Sequence, residues 1–150
     1  MTESASQVVL LQPKKTDQAR QGLPQFFGIS QDSAGAQGIS MNVTAFGPGG
    51  KSKAHYHRNF ETAIYAVSGN VALFHGQNLE FCDVIRPGCF CYIPAFVPHV
   101  AFNLSDTEPA ISISSRNDAR EQENVILQPQ LDGLRDEAAQ EMKRTFAAEQ

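Results

Sequence analysis

Three histidines and one glutamate stand at a spacing that a divalent metal could use. Gly49 is followed by His55-x-His57, Glu61 comes after three intervening residues, and Pro94-x-Phe96-x-x-His99 follows much later. The surrounding stretches have β character, and residues two apart on a strand share a face. Lys51, Lys53, His55 and His57 therefore project to one side. A turn at 58–60 can bring Glu61, at the start of the next strand, beside the histidine pair, and a closed barrel can bring His99 against all three. Neutral imidazoles with one carboxylate suit zinc, iron, manganese, nickel or cobalt, and are too rich in nitrogen for calcium or magnesium.

Such a site needs strands to hold it. From about Gly38 to Arg116 the chain reads as short β segments separated by Gly, Pro, Asn and Asp, with candidate strands at 39–46, 51–57, 61–68, 71–75, 79–85, 90–94, 99–104 and 110–116. So many short strands in one unit favour a closed barrel or a two-sheet jelly roll over an open sheet with edges to protect. In the 1–37 extension, 8–11 and 25–29 could each add a strand, and 13–22 is polar and loop-like. In the 117–150 segment, Asp132 is placed to cap an amphipathic helix whose apolar stripe is Leu134, Ala138, Met142 and Phe146, with acids early and bases late. The charged segment 116–124, with Glu121 and Glu123, reads as a solvated loop.

Bulk properties narrow the function classes. The 150 residues, 41% hydrophobic, fit one domain with one core. A net charge of −4 with scattered bases lacks the footprint of a nucleic-acid binder. The only early apolar run, 8–11, is too short for a signal peptide or a membrane span, so a soluble, cytoplasmic protein is expected. Three cysteines, Cys82, Cys89 and Cys91, make an odd count without the second pair of a structural zinc site. They read as small buried hydrophobes in a reducing compartment.

The chain from Gly49 through Lys51, Lys53, His55, His57 and Glu61, closing at Gly69, resembles the first motif of the cupins. The stretch from Gly88 through Tyr92, Pro94, Phe96 and His99, closing at Asn103, is similar to the second. The resemblance covers about 38–116. It implies an all-β fold, the cupin double-stranded β-helix or jelly-roll barrel, here with one C-terminal amphipathic helix. It also implies one divalent transition metal (Fe, Mn, Zn, Ni, Co or Cu) held by His55, His57, Glu61 and His99. Two departures stand out. Phe96 occupies a position where glycine is usual and positive φ costs nothing. Between Glu61 and Gly69 lie seven residues, one more than the motif's usual spacing, so a bulge or a one-residue shift is expected there.

Around the metal, Lys53 could anchor an anionic substrate, Tyr65 could line the cavity, and Phe90 with Tyr92 could wall an apolar pocket. A solvated lysine and plain aromatic core are the bland alternatives. His75, before a hairpin tip, reads as structural or exposed. The resemblance implies a metal-dependent enzyme, an oxidoreductase of dioxygenase type acting on a small oxygen-rich molecule, with Glu61 available to relay a proton. Two other readings stay open: a non-catalytic barrel that binds a metal or small ligand, and a metal-dependent isomerase or lyase on a sugar or keto acid. A single convincing helix after Arg116 argues against a transcription factor. A homodimer is expected, through 8–11 or the helical stripe, with a small molecule as the other partner and no membrane.

Overall fold

Alternation of apolar and polar residues along short, turn-bounded segments folds the chain into two facing antiparallel sheets. The computed structural model describes residues 7–13, 17–18, 20–120 and 124–149. In chain order the elements are β1 (Asp17–Gln18), β2 (Pro24–Ile29), a single-turn α1 (Gln31–Ala34), β3 (Ser40–Phe46), β4 (His55–His57), β5 (Thr62–Ser68) and β6 (Val71–His75). There follow β7 (Phe81–Ile85), β8 (Phe90–Ile93), β9 (His99–Asn103), β10 (Ala110–Arg116), β11 (Val125–Leu127), a 3₁₀ turn at Pro129–Leu131 and α2 (Asp136–Ala148). One sheet runs β1-β2-β3-β10-β5-β8 and the other β11-β4-β9-β6-β7. The expected all-β double-stranded barrel with one C-terminal helix is present. Among the described residues no helix is long and apolar enough to cross a membrane.

Every strand expected within 38–116 forms. The largest difference is at β4, which begins at His55 because the preceding backbone is engaged elsewhere: Lys53 N donates to Gln21 O at 2.8 Å and Ala54 N to Asp132 Oδ1 at 2.7 Å. The same bond shows why Asp132 does not cap the helix. It tethers β4 instead, and α2 starts one turn later. The apolar stripe of α2 is correspondingly rotated. Ala139 is buried, with Met142 and Phe146 packed on the outer side of the second sheet against Phe74, Val100 and Phe102. Leu134 and Ala138, expected on that face, are exposed. Lys143 is buried beneath this packing and bonds Asp106 at 3.1 Å.

The main core lies between the sheets, where Leu23, Phe46, Leu73, Ile85, Ile93 and Ala101 meet. Three local details bear on the site. In β5, Ala66 and Ser68 oppose Ser112 and Ile111 of β10, leaving Val67 as the extra residue of a bulge. Gly69, at φ +80°, lies where a Cβ would come within 2.6 Å of Ala110 Cα. Phe96 adopts φ +67°, the conformation glycine would supply, and its N–H donates to His57 O at 2.8 Å. The 8–11 run forms no strand and holds Val8 and Leu10 almost wholly in solvent. The cysteines are free, as expected, but not buried: Cys82 and Cys89 are exposed and Cys91 is half-buried. Glu121 and Glu123 lie outside the described residues.

Candidate metal centre

The period of two in β4 points His55 and His57 to the inner face. Antiparallel pairing sets His99 of β9 directly opposite His55. One ring nitrogen from each histidine lies within 4.8 Å of the others. The ring centroids are 5.2 Å (His55–His57), 4.2 Å (His55–His99) and 4.7 Å (His57–His99) apart. His55 Nδ1 is 2.8 Å from Lys53 O and His99 Nδ1 is 2.9 Å from Val97 O. A carbonyl oxygen only accepts, so the proton sits on Nδ1 and the lone pair on Nε2 of each ring. His57 Nδ1 lies 2.9 Å from Thr62 Oγ1, its ring stacks on Phe60 at 4.7 Å, and its Nε2 is buried with no hydrogen-bond partner.

Burial holds these imidazoles neutral. Desolvation, then repulsion from His99, keeps His55 well below its ordinary range. His57 is likewise held well below its ordinary range, by desolvation and then by the two neighbouring histidines. Desolvation brings His99 down to about 4, with the Arg116 charge adding to the effect. Three neutral imidazoles with converging free nitrogens, one of them an orphaned buried atom, form a donor set that fits a divalent transition metal.

Glu61 does not join them. It is exposed on the outside of the barrel, where its carboxylate accepts from Tyr92 Oη at 2.5 Å and from Asn117 Nδ2 at 3.3 Å. The cause is the one-residue excess noted in the motif. On a strand a shift of one moves a side chain to the other face. The inward position, with six residues between it and Gly69, is held by Thr62, whose hydroxyl touches His57 rather than replacing a carboxylate. With its carboxylate on the outer face and bonded to Tyr92 and Asn117, Glu61 is not placed to relay a proton at the histidine cluster.

Next to the histidines lies an internal cavity of about 80 Å³. Its floor is apolar, with Leu23, Ile64, Leu73 and Ile93, while Gln21, Gln25, Ser114 and Arg116 supply a polar wall. Among the described residues no carboxylate lines it. The four expected pocket residues fall elsewhere. Lys53 is exposed over Gly22, because the irregular backbone at 52–54 breaks the alternation that would have turned it inward. Phe90 and Tyr92 do share one side of their strand, as expected, but with Tyr65 they lie on the outer face: Tyr65 opposes Phe90 and Ala63 opposes Tyr92 on the solvent side of β5 and β8. His75 bonds Asp83 at 2.7 Å and remains partly exposed.

Thr62, Arg116, Ser114, Gln21 and Gln25 were not anticipated. The alternation of β10 carries a signal for Ser114 and Arg116, and the motif spacing carries one for Thr62. Gln21 sits in a loop and gives none.

A family model described as Cupin matches residues 10–147. No curated protein matches the chain. Among solved structures, a recombinant oxalate oxidase in complex with glycolate is similar with a TM-score of 0.66 and 21% identity, over 96% of this chain and 84% of that one. The oxalate decarboxylase of Lactobacillus farciminis, in a formate complex, gives a TM-score of 0.63 and 21% identity, over 75% of this chain and 33% of that one. An uncharacterized Klebsiella pneumoniae protein with a double-stranded β-helix domain gives 0.57 and 16%, over 81% and 85%. The chain thus spans about a third of the length of the decarboxylase. Identities this low establish likeness of fold.

Proposed function

Because the chain belongs to the cupin family, we propose that it is a metal-dependent enzyme, an oxidoreductase of dioxygenase type acting on a small oxygen-rich organic molecule. The observation that carries this reading is the convergence of three neutral imidazoles beside an internal cavity. His55, His57 and His99 would hold the ion, one of Fe, Mn, Zn, Ni, Co or Cu. A metal so held supplies a Lewis acid and, if redox-active, an electron-transfer centre. Three protein ligands leave positions open, which distinguishes a catalytic from a structural site.

The remaining residues act on geometry. The Lys53 and Val97 carbonyls fix the tautomers of His55 and His99, and Thr62 orients His57. The apolar floor limits water. An oxalate oxidase and an oxalate decarboxylase share the fold, and their bound glycolate and formate support small organic acids as the substrate class. Oxygen consumption by the metal-loaded protein, assayed over short hydroxy and keto acids, tests the reading. Turnover without oxygen uptake would replace it with the isomerase or lyase reading, and ligand retention without turnover with the non-catalytic binder.

The assembly we propose is a homodimer. Support comes from the outer face of β5 and β8, where Tyr65, Val67, Phe90 and Tyr92 form an exposed apolar row, and from the uncovered Val8 and Leu10. Sedimentation should give twice the chain mass, and a monomer at micromolar concentration would contradict it.

A further inference from the structure

We propose that the cavity beside the histidines is a binding site for a small neutral molecule carrying a primary amide group, urea being the smallest case, whose N–H hydrogens meet Gln21, Gln25 and Ser114. This ligand class goes beyond the oxidoreductase reading and does not require a bound metal. The histidines and the amide-reading residues face one another from opposite sheets. His55 and His99 project inward from the second sheet. Gln25, Thr44 and Ser112 form one cross-strand row on the inner face of the first sheet, and Ser114 lies two residues further along β10 on the same face. Gln21, in the loop before β2, is fixed through its backbone carbonyl, which accepts from Lys53 N at 2.8 Å.

Gln21, Gln25 and Ser114 are 3%, 1% and 5% exposed, and all three line the cavity. Gln21 Oε1, Gln25 Oε1 and Ser114 Oγ have no hydrogen-bond partner. Gln25 Nε2 donates to Thr44 Oγ1 at 3.1 Å, which leaves the amide oxygen as the free end. A buried acceptor left unmatched is costly, so the occupant is selected by the donors it brings. The cavity volume is about 80 Å³. An apolar cavity of about 150 Å³ takes benzene, so about four non-hydrogen atoms fill this one. Two carbonyl oxygens and a hydroxyl must be matched by that few. An amide nitrogen carries two hydrogens and no competing lone pair, whereas a hydroxyl carries one hydrogen and lone pairs of its own. A carboxylate brings only acceptors to this wall. An ammonium brings three donors, but its charge must be desolvated against a floor of Leu23, Ile64, Leu73 and Ile93. Of these groups the primary amide alone is both dense in donors and uncharged.

Acetone, acetamide, urea and acetate share one planar outline and differ in the donors and charge they carry. Each is titrated into the ¹⁵N-labelled full chain without added metal, at about pH 8 where the ring nitrogens are neutral, and followed by backbone and side-chain amide shifts. Acetamide and urea should shift the resonances of Gln21, Gln25 and Ser114. Acetamide should bind about tenfold tighter than acetone, as the matching of a buried acceptor would give, and acetate no tighter than acetone. Gln25→Leu should lower the acetamide affinity severalfold, toward that of acetone, and leave the acetone affinity unchanged. If Gln25→Leu does not fold, Gln21→Leu and the wild-type series decide the matter. Equal affinities for acetone and acetamide, acetate as the tightest binder, or no binding of acetamide and urea would each overturn the inference. None of these results touches the metal reading, since no metal is present in the titration.

Discussion

At the scale of single residues, the chemistry of the chain turns on a difference of one position. His55, His57 and His99 meet as their spacing predicted, because strand periodicity alone fixes where they point. Glu61 carried a ligand's chemistry but the wrong parity, and the spacing to Gly69 already held the signal. The residue at the correct parity, Thr62, is a threonine and so did not register as a ligand. Phe96 illustrates the converse: an unfavourable residue is tolerated because the surrounding backbone dictates the conformation. Holding a non-glycine residue at φ +67° carries a cost. Phe96→Gly should therefore stabilise the protein by up to about 1 kcal/mol in denaturant unfolding, since the ring is half exposed and its loss removes little packing. A destabilised variant would mean that the ring's contact with Tyr56 outweighs the backbone strain.

Secondary-structure elements were legible where alternation and turn residues coincided, and illegible where a tertiary hydrogen bond overrode them. β3 alternates with a period of two, and β6 and β9 follow instead from short, largely apolar runs bounded by turn residues. β11 has only three residues, and its pairing with β4 places Val125 opposite His57 and Leu127 opposite His55, which no local pattern announces. Asp132 has the side chain of a helix cap, yet its carboxylate is committed to Ala54 N beside the histidines. The joint between β5 and β6 is equally constrained. A Cβ at Gly69 would meet the Ala110 backbone, and φ there is +80°. Gly69→Ala should destabilise by roughly 2–4 kcal/mol, from left-handed strain plus overpacking. A loss below the error of an unfolding curve would show that the joint relaxes freely.

At the scale of the whole molecule, the barrel encloses histidines that it must keep neutral, and this couples folding to pH. In the metal-free protein His99 titrates at about 4, against an ordinary value near 6.5, and burial lowers His55 and His57 as well. Between those limits the unfolded chain binds protons that the folded chain refuses, so stability rises with pH there and falls on acidification. Metal-free protein should accordingly lose stability steadily as pH drops from about 6.5 toward 4. A flat profile across that window would show that the imidazoles are more exposed to water than the fold indicates. A bound ion requires the same neutral rings, so metal should be released over the acidic range as well. On this geometry the metal would be held by three histidines without Glu61. Elemental analysis of purified wild type, His55→Ala, His99→Ala and Glu61→Gln tests it most directly. Near-stoichiometric metal is expected in the wild type and in Glu61→Gln, and loss of most of it in both histidine variants. Metal retained in the histidine variants, or lost in Glu61→Gln, would contradict it.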